Sequence, residues 1–494
     1  MFPARPHPAI DDAVWVQWWA QLIGASRYKA IEKMRTQLEK SSKRSCLITS
    51  VLLFVVVPIT LLTIGLILWF GRESSGRSQL NAKIANLAKK GYPVDNASVD
   101  AFYKARTDPT NTDAWLAILA TLKSREFETS LVGVPFVGIV DEPPSQLDEK
   151  WNEEGAALVF LNRWKELGDE SIRLSLDASP VRFPIVFDSF NSMDVNQVQA
   201  FRQVARFINL RGYVAMRSRD SVRVHEAIEG MLGLSRVIAG EPMLVSHLVT
   251  IAIDGMAIGL LKEALKNDVL STEDLQSVLP KSLELAQIGK DWETALAGER
   301  ALALPLFSNP TRARSSGLAT LFSNARDAIG YVDLIDSLLD LPTEELTEFR
   351  DKLQEVESKL QSRTSANWLA QMDNLMTMQV VPAVSATGHA FIRRALQHRI
   401  ASLAIALRLH EHLHGKFPDS LDELPEIKKV ELFSPSKKQK FGYRTEGRDA
   451  KLWGGNFQDA FAIPNEPPES DDPDTFVTAV WLWELPARVD SRRR

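Results

Sequence analysis

The longest apolar segment lies near the start of the chain. Residues 46–70 read CLITSVLLFVVVPITLLTIGLILWF, 25 residues without a charged side chain. A bilayer core about 30 Å thick needs about 20 apolar residues in a helix, so this segment is long enough to span it with some tilt. The segment is longer than a signal-peptide core, starts late and ends in Leu-Trp-Phe. It therefore predicts one transmembrane helix that acts as an uncleaved signal anchor.

A second pattern precedes this segment. Trp15, Trp18, Trp19, Leu22 and Ile23 recur at intervals of three and four, which places them on one helical face. With lysine and arginine following, the pattern suits a helix that lies in the lipid headgroup layer. A short helix packed against a partner subunit gives the same periodicity, so both interpretations stay open.

Beyond the span, helical periodicity dominates up to about residue 395. Four long helical segments follow one another, over residues 195–216, 221–240, 243–266 and 271–299, with short polar or Gly-Pro breaks between them. Short connections between helices of about 20 residues predict antiparallel hairpins stacked in a repeat-like manner. No 34-residue consensus is present, so the pattern supports no named repeat family.

Heptad-like spacing appears once, in residues 341–362. Leu346, Phe349, Leu353, Val356 and Leu360 alternate at three and four residues, but over only about two heptads. A coiled coil usually needs three or four heptads, so we expect an amphipathic helix docked on the helical domain.

Charge and composition limit the possible partners. The net charge is −5 and the pI is about 6.0, which argues against nucleic acid as a partner, because phosphate binding needs clustered cations. Residues 1–45 hold eight basic and four acidic side chains (+4), and residues 71–494 hold 50 and 59 (−9). The 20 residues before the span carry seven cations, against five in the 20 after it. This bias predicts a cytoplasmic N-terminus and a periplasmic C-terminal region.

The run LHEHLHGKFP, residues 409–418, contains the H-E-x-x-H pattern of zinc peptidases. In such a site His410 and His414 would bind zinc on one helical face, and Glu411 would act as the base. Gly415 follows at once, however, so the second histidine falls in the last turn of its helix. We therefore interpret the run as a helix end, predict no catalytic, metal or cofactor site, and keep zinc as the alternative.

The residues around this run resemble the C-terminal part of the major pseudopilin of type II secretion. Gly415, Phe417, Pro418, Ser420, Leu421 and Leu424 match a helix end, a Gly-x-Phe-Pro turn and a Ser-Leu-x-x-Leu helix. In the family an Asp-Pro pair and a tyrosine lead into the first strand, and here Ser434-Pro435 and Tyr443 take those places. The resemblance covers about residues 398–486. It implies a small antiparallel sheet, for which FGYRTE, AKLWGGN and TFVTAVWLWEL supply three alternating strands.

Two features qualify this resemblance. The pseudopilin leader and its Gly-Phe-Thr-Leu-x-Glu motif do not precede Cys46, so filament assembly is not implied. In the family the loop before the last strand can hold calcium, and the corresponding loop here is rich in carboxylates. These are Glu466, Glu469, Asp471, Asp472 and Asp474. The resemblance therefore implies Asp471, Asp472 and Asp474 as an alternative calcium site, against a solvated acidic loop.

The expected fold is mainly α. It consists of one transmembrane helix, a helical hairpin outer domain and a small C-terminal α+β module with an antiparallel sheet. The expected regions are a cytoplasmic amphipathic and basic segment (1–45), the membrane helix (46–70), a tether (71–80), the helical outer domain (81–395) and the pseudopilin-like module (396–494). This layout also resembles a group of uncharacterised single-span bacterial envelope proteins.

Three functions remain open from the sequence. The first is a non-enzymatic protein of the inner membrane, whose outer domain binds or scaffolds other envelope proteins and whose span contacts the lipid bilayer. The second is a membrane-anchored zinc metallopeptidase that uses His410, Glu411 and His414. The third is an accessory protein of a secretion apparatus. No phosphate loop, dinucleotide fingerprint, nucleophile elbow or Cys-x-x-Cys pair points to another enzyme class.

Overall fold

The computed structural model describes ten stretches of the chain. They are residues 57–138, 144, 147–177, 179–187, 196–308, 325–365, 374–425, 434–456, 461–467 and 480–488. The chain divides into two compact units, residues 1–75 and 76–494. The predicted amphipathic helix with Trp15 and the residues 46–56 of the predicted span lie outside the described residues.

Helices make up most of the described chain. In chain order they are α1 (Val57–Lys89), α2 (Asn96–Lys104), α3 (Thr112–Leu122), α4 (Arg125–Ser130), α5 (Glu154–Arg163), α6 (Lys165–Leu176), α7 (Asn196–Arg217), α8 (Ser221–Val237), α9 (Leu244–Lys266), α10 (Thr272–Leu285), α11 (Gly289–Ser308), α12 (Ala325–Leu339), α13 (Leu346–Ser365) and α14 (Leu375–His414). Three strands follow, β1 (Gly442–Glu446), β2 (Asp449–Asn456) and β3 (Val480–Leu485). The prediction of a mainly α fold with a small antiparallel sheet is confirmed.

Local sequence explains several helix ends. Asp95 caps α2 by accepting from the Ser98 N–H at 2.8 Å, and Ser271 caps α10 by accepting from the Asp274 N–H at 3.1 Å. Both caps are reciprocal capping boxes, in which the third residue of the helix bonds back to the cap. After α1, Gly91 adopts φ +82°, a conformation that glycine reaches without a steric penalty.

Helix α1 contains the described part of the predicted membrane segment. It starts at Val57 and continues without a break to Lys89, so residues 71–80 are helical where the sequence predicts a polar tether. This stretch contains no proline, and adding residues to an existing helix costs far less than starting a new one. Five large apolar side chains in its first part are exposed, at 45–64%. They are Val57, Ile59, Leu61, Ile64 and Ile67.

Helix α9 is long and apolar enough to cross a membrane. Within the part of the chain that the structure describes, α9 alone meets this criterion, with a mean hydropathy of 1.9. It packs between α8, α7 and α14, and 61% of its apolar window is buried inside the protein. Ile253 and Ala257 are completely buried and Asp254 is 1% exposed. Helix α9 therefore serves as a central core helix of the second unit.

Helix α14 joins the helical region to the C-terminal sheet. This 40-residue helix packs against α9, α10, α12 and α13, and it also contacts β2 and β3. It continues across the predicted domain boundary at residues 395/396. The helix ends where the sequence predicts, because Gly415 adopts φ +77° and donates its N–H to the Glu411 carbonyl at 2.8 Å.

The C-terminal sheet has the order β1-β2-β3, and both pairings are antiparallel. Tyr443 in β1 donates its hydroxyl to the Pro418 carbonyl at 2.7 Å, which connects the sheet to the turn after α14. A Cβ on Gly442 would lie 2.0 Å from the Trp453 indole, so only glycine lets this ring cross the strand. The three predicted strands are thus confirmed, while the predicted Ser-Leu-x-x-Leu helix is a single 3₁₀ turn, Leu421–Glu423.

Helix α13 confirms the prediction of a docked amphipathic helix. Leu346, Phe349, Leu353 and Leu360 are at most 8% exposed and pack toward α14 and α12. Segment 271–299, which reads as one helix in the sequence, instead forms two, because α10 ends at Leu285 and α11 begins at Gly289. This break places the start of a new helix beside a large cleft of the second unit.

Candidate functional site

A cleft with a volume of about 930 Å³ lies where several helix ends converge. The last residues of α8 and α10 and the first turn of α11 form its walls. The lining also includes residues 343–345 before α13, Lys437 of the C-terminal module, and Arg106 and Pro180 from the preceding region. Cavities of roughly 300–1,000 Å³ hold small molecules, and junctions between structural parts are common places for them.

Arg394 of α14 lies on the floor of this cleft and is 1% exposed. Its Nε donates to Asp254 Oδ2 at 2.6 Å, and its Nη1 donates to Asp291 Oδ2 at 2.6 Å. Burial alone would lower the pKa of the guanidinium, but the two carboxylates outweigh burial and raise it. This ion triad connects α9, α11 and α14, and removing its cation would leave two carboxylates in the interior without compensation.

The cleft is more basic than the region around it. Six cationic and four acidic side chains line it, a difference of +2, whereas residues 71–494 carry −9. The lining cations are Arg106, Arg236, Lys290, Arg394, Arg399 and Lys437, and the lining acids are Glu284, Asp291, Glu344 and Glu345. Asp254 pairs with Arg394 from behind and reduces the local excess to +1.

The protein itself already engages three of the four acids. Glu284 pairs with Arg236 at 2.7 Å, and Asp291 pairs with Arg394. Glu345 accepts from the Thr347 hydroxyl at 2.7 Å and, more weakly, from the Lys437 N–H at 3.4 Å. Because the partners of Glu284 and Asp291 are themselves lining cations, this pairing leaves the net charge of the lining unchanged.

Behind the cleft floor lies a serine, histidine and aspartate cluster. His398 Nε2 lies 3.5 Å from Asp254 Oδ2, and His398 Nδ1 lies 3.3 Å from Ser282 Oγ. Ser402 donates to Ser282 at 2.9 Å. The residue types are those of a hydrolase triad, but the two ring nitrogens are exchanged relative to such a triad, and all four side chains are at most 1% exposed. Because no substrate reaches Ser282, the cluster ties α9, α10 and α14 together and holds no accessible nucleophile.

The H-E-x-x-H residues separate on the last turns of α14. The rings of His410 and His414 stack with their centroids 4.3 Å apart, near the protein surface. Glu411 is only 3% exposed, and its carboxylate accepts from Arg408 Nη1 and, at 2.7 Å, from the Arg488 N–H. A carboxylate held by these two donors is poorly placed to activate a water on zinc bound by the two histidines.

His412, between these residues, is the buried histidine of the run. Its side chain is 1% exposed, its Nε2 lies 3.0 Å from Asp268 Oδ1, and its Nδ1 lies 3.1 Å from Thr272 Oγ1. These contacts hold the end of α14 against the turn between α9 and α10. Two further histidines, His225 and His247, contact Glu229 and the Glu241 carbonyl, respectively.

Potential metal ligands do not cluster in the residues that the structure describes. No group of three or more histidine, cysteine, aspartate and glutamate side chains that could hold a metal ion occurs among them. Asp471, Asp472 and Asp474 of the alternative calcium loop lie outside those residues, and Glu466 is exposed.

Comparison of the chain with protein-family models, curated proteins and solved structures finds no match. The candidate site therefore depends on its geometry. No sequence motif marks this site, because its residues are ordinary charged side chains from separate parts of the chain. The one local signal is Gly289, which follows Ile288 at the break between α10 and α11.

Proposed function

We propose that this protein is a single-pass membrane protein of the bacterial envelope whose helical outer domain binds a ligand without transforming it. The cleft at the start of α11 carries the proposal, since it is large enough for a small molecule and is lined by charged groups from several parts of the domain. The repeat-like stacking of helical hairpins belongs to the same proposal. It is supported by the packing of α7 on α8 and of α8 on α9.

The membrane anchor in this proposal is residues 46–70. Five large apolar side chains near the start of α1 are exposed, and leaving such a row in water would be unfavourable by roughly 1.5–3 kcal/mol for each side chain compared with complete burial. A lipid environment removes this cost. Helix α9 does not need lipid, because most of its apolar window is already buried in protein.

The proposed orientation has the N-terminus in the cytoplasm and residues 71–494 in the periplasm. It is supported by the seven cations before the span against five after it. A C-terminal alkaline phosphatase fusion, which folds only in an oxidising compartment, should be active in cells, while a C-terminal fluorescent protein that needs the cytosol should be dark. The reverse pattern would refute the orientation.

Binding is favoured over catalysis because the two candidate catalytic groups are engaged or sealed. Ser282 is buried beside His398, and the Glu411 carboxylate is occupied by Arg408 and the Arg488 N–H. The charged cleft, in contrast, opens to solvent through exposed residues such as Lys290 and Gln287. Its groups offer hydrogen bonds and charge, and none of them forms an exposed pair of nucleophile and base.

A cleft-filling variant tests the proposed binding. Gln287→Trp places an indole at an exposed position of the lining, and Gln354→Trp places one at an exposed position of α13 that does not line the cleft. Full-length protein purified from membranes in detergent is analysed by native mass spectrometry. We expect a bound small molecule with the natural protein and with Gln354→Trp, but not with Gln287→Trp. A molecule retained by Gln287→Trp, or none with any form, would contradict the proposal.

A role as an accessory of a secretion apparatus is the second candidate. It is supported by the C-terminal module, in which the end of α14 at Gly415 and the three-stranded antiparallel sheet agree with what the pseudopilin resemblance implies. Cross-linking in intact cells followed by purification should then recover secretion components. Recovery that is unchanged after deletion of residues 434–494 would argue against this role for the module.

A further inference from the structure

We propose that the cleft binds a small organic anion through a phosphate or carboxylate group. The inference rests on the proposed ligand-binding function and adds the chemical class of the ligand. The first observation is the net charge of the side chains that line the cleft, which is positive although residues 71–494 together carry −9. Such a local reversal of charge concentrates anions at the cleft and repels cations.

Arg106 supplies the first group for the anion. Its guanidinium stacks over the Phe102 ring, 3.4 Å from the ring centroid, and donates no hydrogen bond to any residue in the described ranges. Stacking leaves the edge of the guanidinium, with its N–H groups, free to bind an oxyanion in the plane. Burial lowers the pKa of Arg106 more than the nearby Glu293 raises it, so the cation is partly desolvated without a carboxylate in contact.

Lys290 supplies the second group, at the start of α11. Its ammonium is exposed and forms no ion pair with a carboxylate in the described part of the chain. The residue before α11 is Ile288, whose apolar side chain cannot cap the first N–H groups. A Cβ on Gly289 would lie 2.8 Å from Thr343 Oγ1, so glycine allows this hydroxyl to approach the first turn.

Arg394 supplies the third group, from the floor. Its Nε and Nη1 are used by Asp254 and Asp291, whereas Nη2 donates to no described residue and the side chain lines the cleft. The ion triad fixes the guanidinium in place, so a further hydrogen bond from Nη2 costs little conformational entropy. Arg106, Lys290 and Arg394 come from three different parts of the chain and border one cavity.

The cavity volume suits a small ligand better than a macromolecule. About 930 Å³ is at the upper end of the range for small-molecule sites, so an oxyanion would occupy one part and leave room for an organic body. Phosphate and carboxylate share the chemistry of these donors. Binding of probes that carry only phosphate or only carboxylate groups shows which of the two the cleft prefers.

The test measures binding to the full-length protein in detergent by isothermal titration calorimetry at low ionic strength. The probes are pyrophosphate for phosphate groups, citrate for carboxylate groups and spermidine as a cation of similar size. We expect at least one anion to bind and spermidine not to bind. The variants Arg106→Gln and Lys290→Gln should each weaken anion binding by about tenfold, the effect of losing one charge-assisted hydrogen bond. The matched control Lys123→Gln removes an exposed cation outside the cleft and should leave binding unchanged.

The outcomes separate this inference from the proposed function. Binding of spermidine alone, or a neutral ligand in the native mass spectrum that Gln287→Trp removes, would refute the anionic class and leave the binding function standing. Anion binding that Lys123→Gln weakens as much as Lys290→Gln would refute the cleft as the anion site. Unchanged tryptophan fluorescence of each variant, checked beforehand, confirms that weaker binding is not loss of folding.

Discussion

Glu241, in the turn between α8 and α9, provides the sharpest test of the buried electrostatics. Its carboxyl group is 1% exposed, Oε2 accepts from the Ser246 hydroxyl, and Oε1 has no hydrogen-bond partner among the described residues. Burial raises the pKa of Glu241 from 4.5 to about 7. We therefore expect Glu241→Gln to make the protein more stable in mildly alkaline solution.

The sign follows from proton binding. Between about pH 4.5 and pH 7 the folded protein keeps the Glu241 proton while the unfolded chain releases it, so the free energy of unfolding falls as the pH rises. At about 1.4 kcal/mol for each pH unit, the buried carboxylate costs about 3 kcal/mol at pH 8. Glutamine stays neutral but leaves an amide N–H without a partner, at a cost of about 1–3 kcal/mol. The expected net gain at pH 8 is therefore up to about 2 kcal/mol, and at pH 5 the variant should be the less stable protein.

The assay is urea unfolding of the full-length protein in detergent, followed by tryptophan fluorescence at pH 5 and pH 8. Glu166→Gln, at an exposed position of α6, is the matched control and should change stability equally little at both pH values. If the difference between Glu241→Gln and the natural protein is the same at pH 5 and pH 8, then Glu241 does not hold its proton in the folded state and the reasoning fails.

Three further predictions concern single sites, each measured by the same unfolding assay. Arg394→Leu should lower the free energy of unfolding by about 3–5 kcal/mol, since it strands the carboxylates of Asp254 and Asp291, and a loss below about 1 kcal/mol would contradict the buried triad. Gly442→Ala should cost about 1–3 kcal/mol, because its methyl group would overlap the Trp453 indole, and a neutral effect would contradict that packing. Glu229, whose pKa is lowered to about 2 by its bonds to His225, Lys281 and Ser277 despite burial, stabilises the protein above pH 4.5. Glu229→Gln should therefore cost about 1–2 kcal/mol at pH 7 and much less at pH 2, after allowance for solvent screening at Lys281.

The locally encoded features of the fold are the ones that the sequence predicted well. The end of α14 at Gly415, the strands on either side of Gly447 and the docked face of α13 all depend on residues within a few positions of each other. Backbone conformation at glycine and the spacing of apolar side chains are short-range effects, so the sequence alone predicts them. The tether at residues 71–80 was predicted from its polarity, and polarity does not stop a helix that has already begun.

The residues of the candidate site could not be predicted from such short-range patterns. The triad of Arg394 joins residues 140 and 103 positions away, and His398 meets Ser282 across 116 positions. No periodicity in the chain shows which of the many arginines will be buried between two carboxylates. The H-E-x-x-H run, in contrast, is conspicuous in the sequence, yet the structure turns Glu411 toward Arg408 and Arg488.

The sequence by itself determined the helical class of this protein, the apolar segment proposed as its anchor and the strands of its terminal sheet. These depend on local conformation and on the hydrophobic effect acting along single elements. Only the tertiary structure decided that α10 and α11 are separate helices. It also decided that one basic cleft is bordered by the junction of these two helices together with Arg106 and Arg394. Charge complementarity between distant residues is a property of their arrangement in space, because Coulomb interactions depend on distance and burial and are independent of order along the chain.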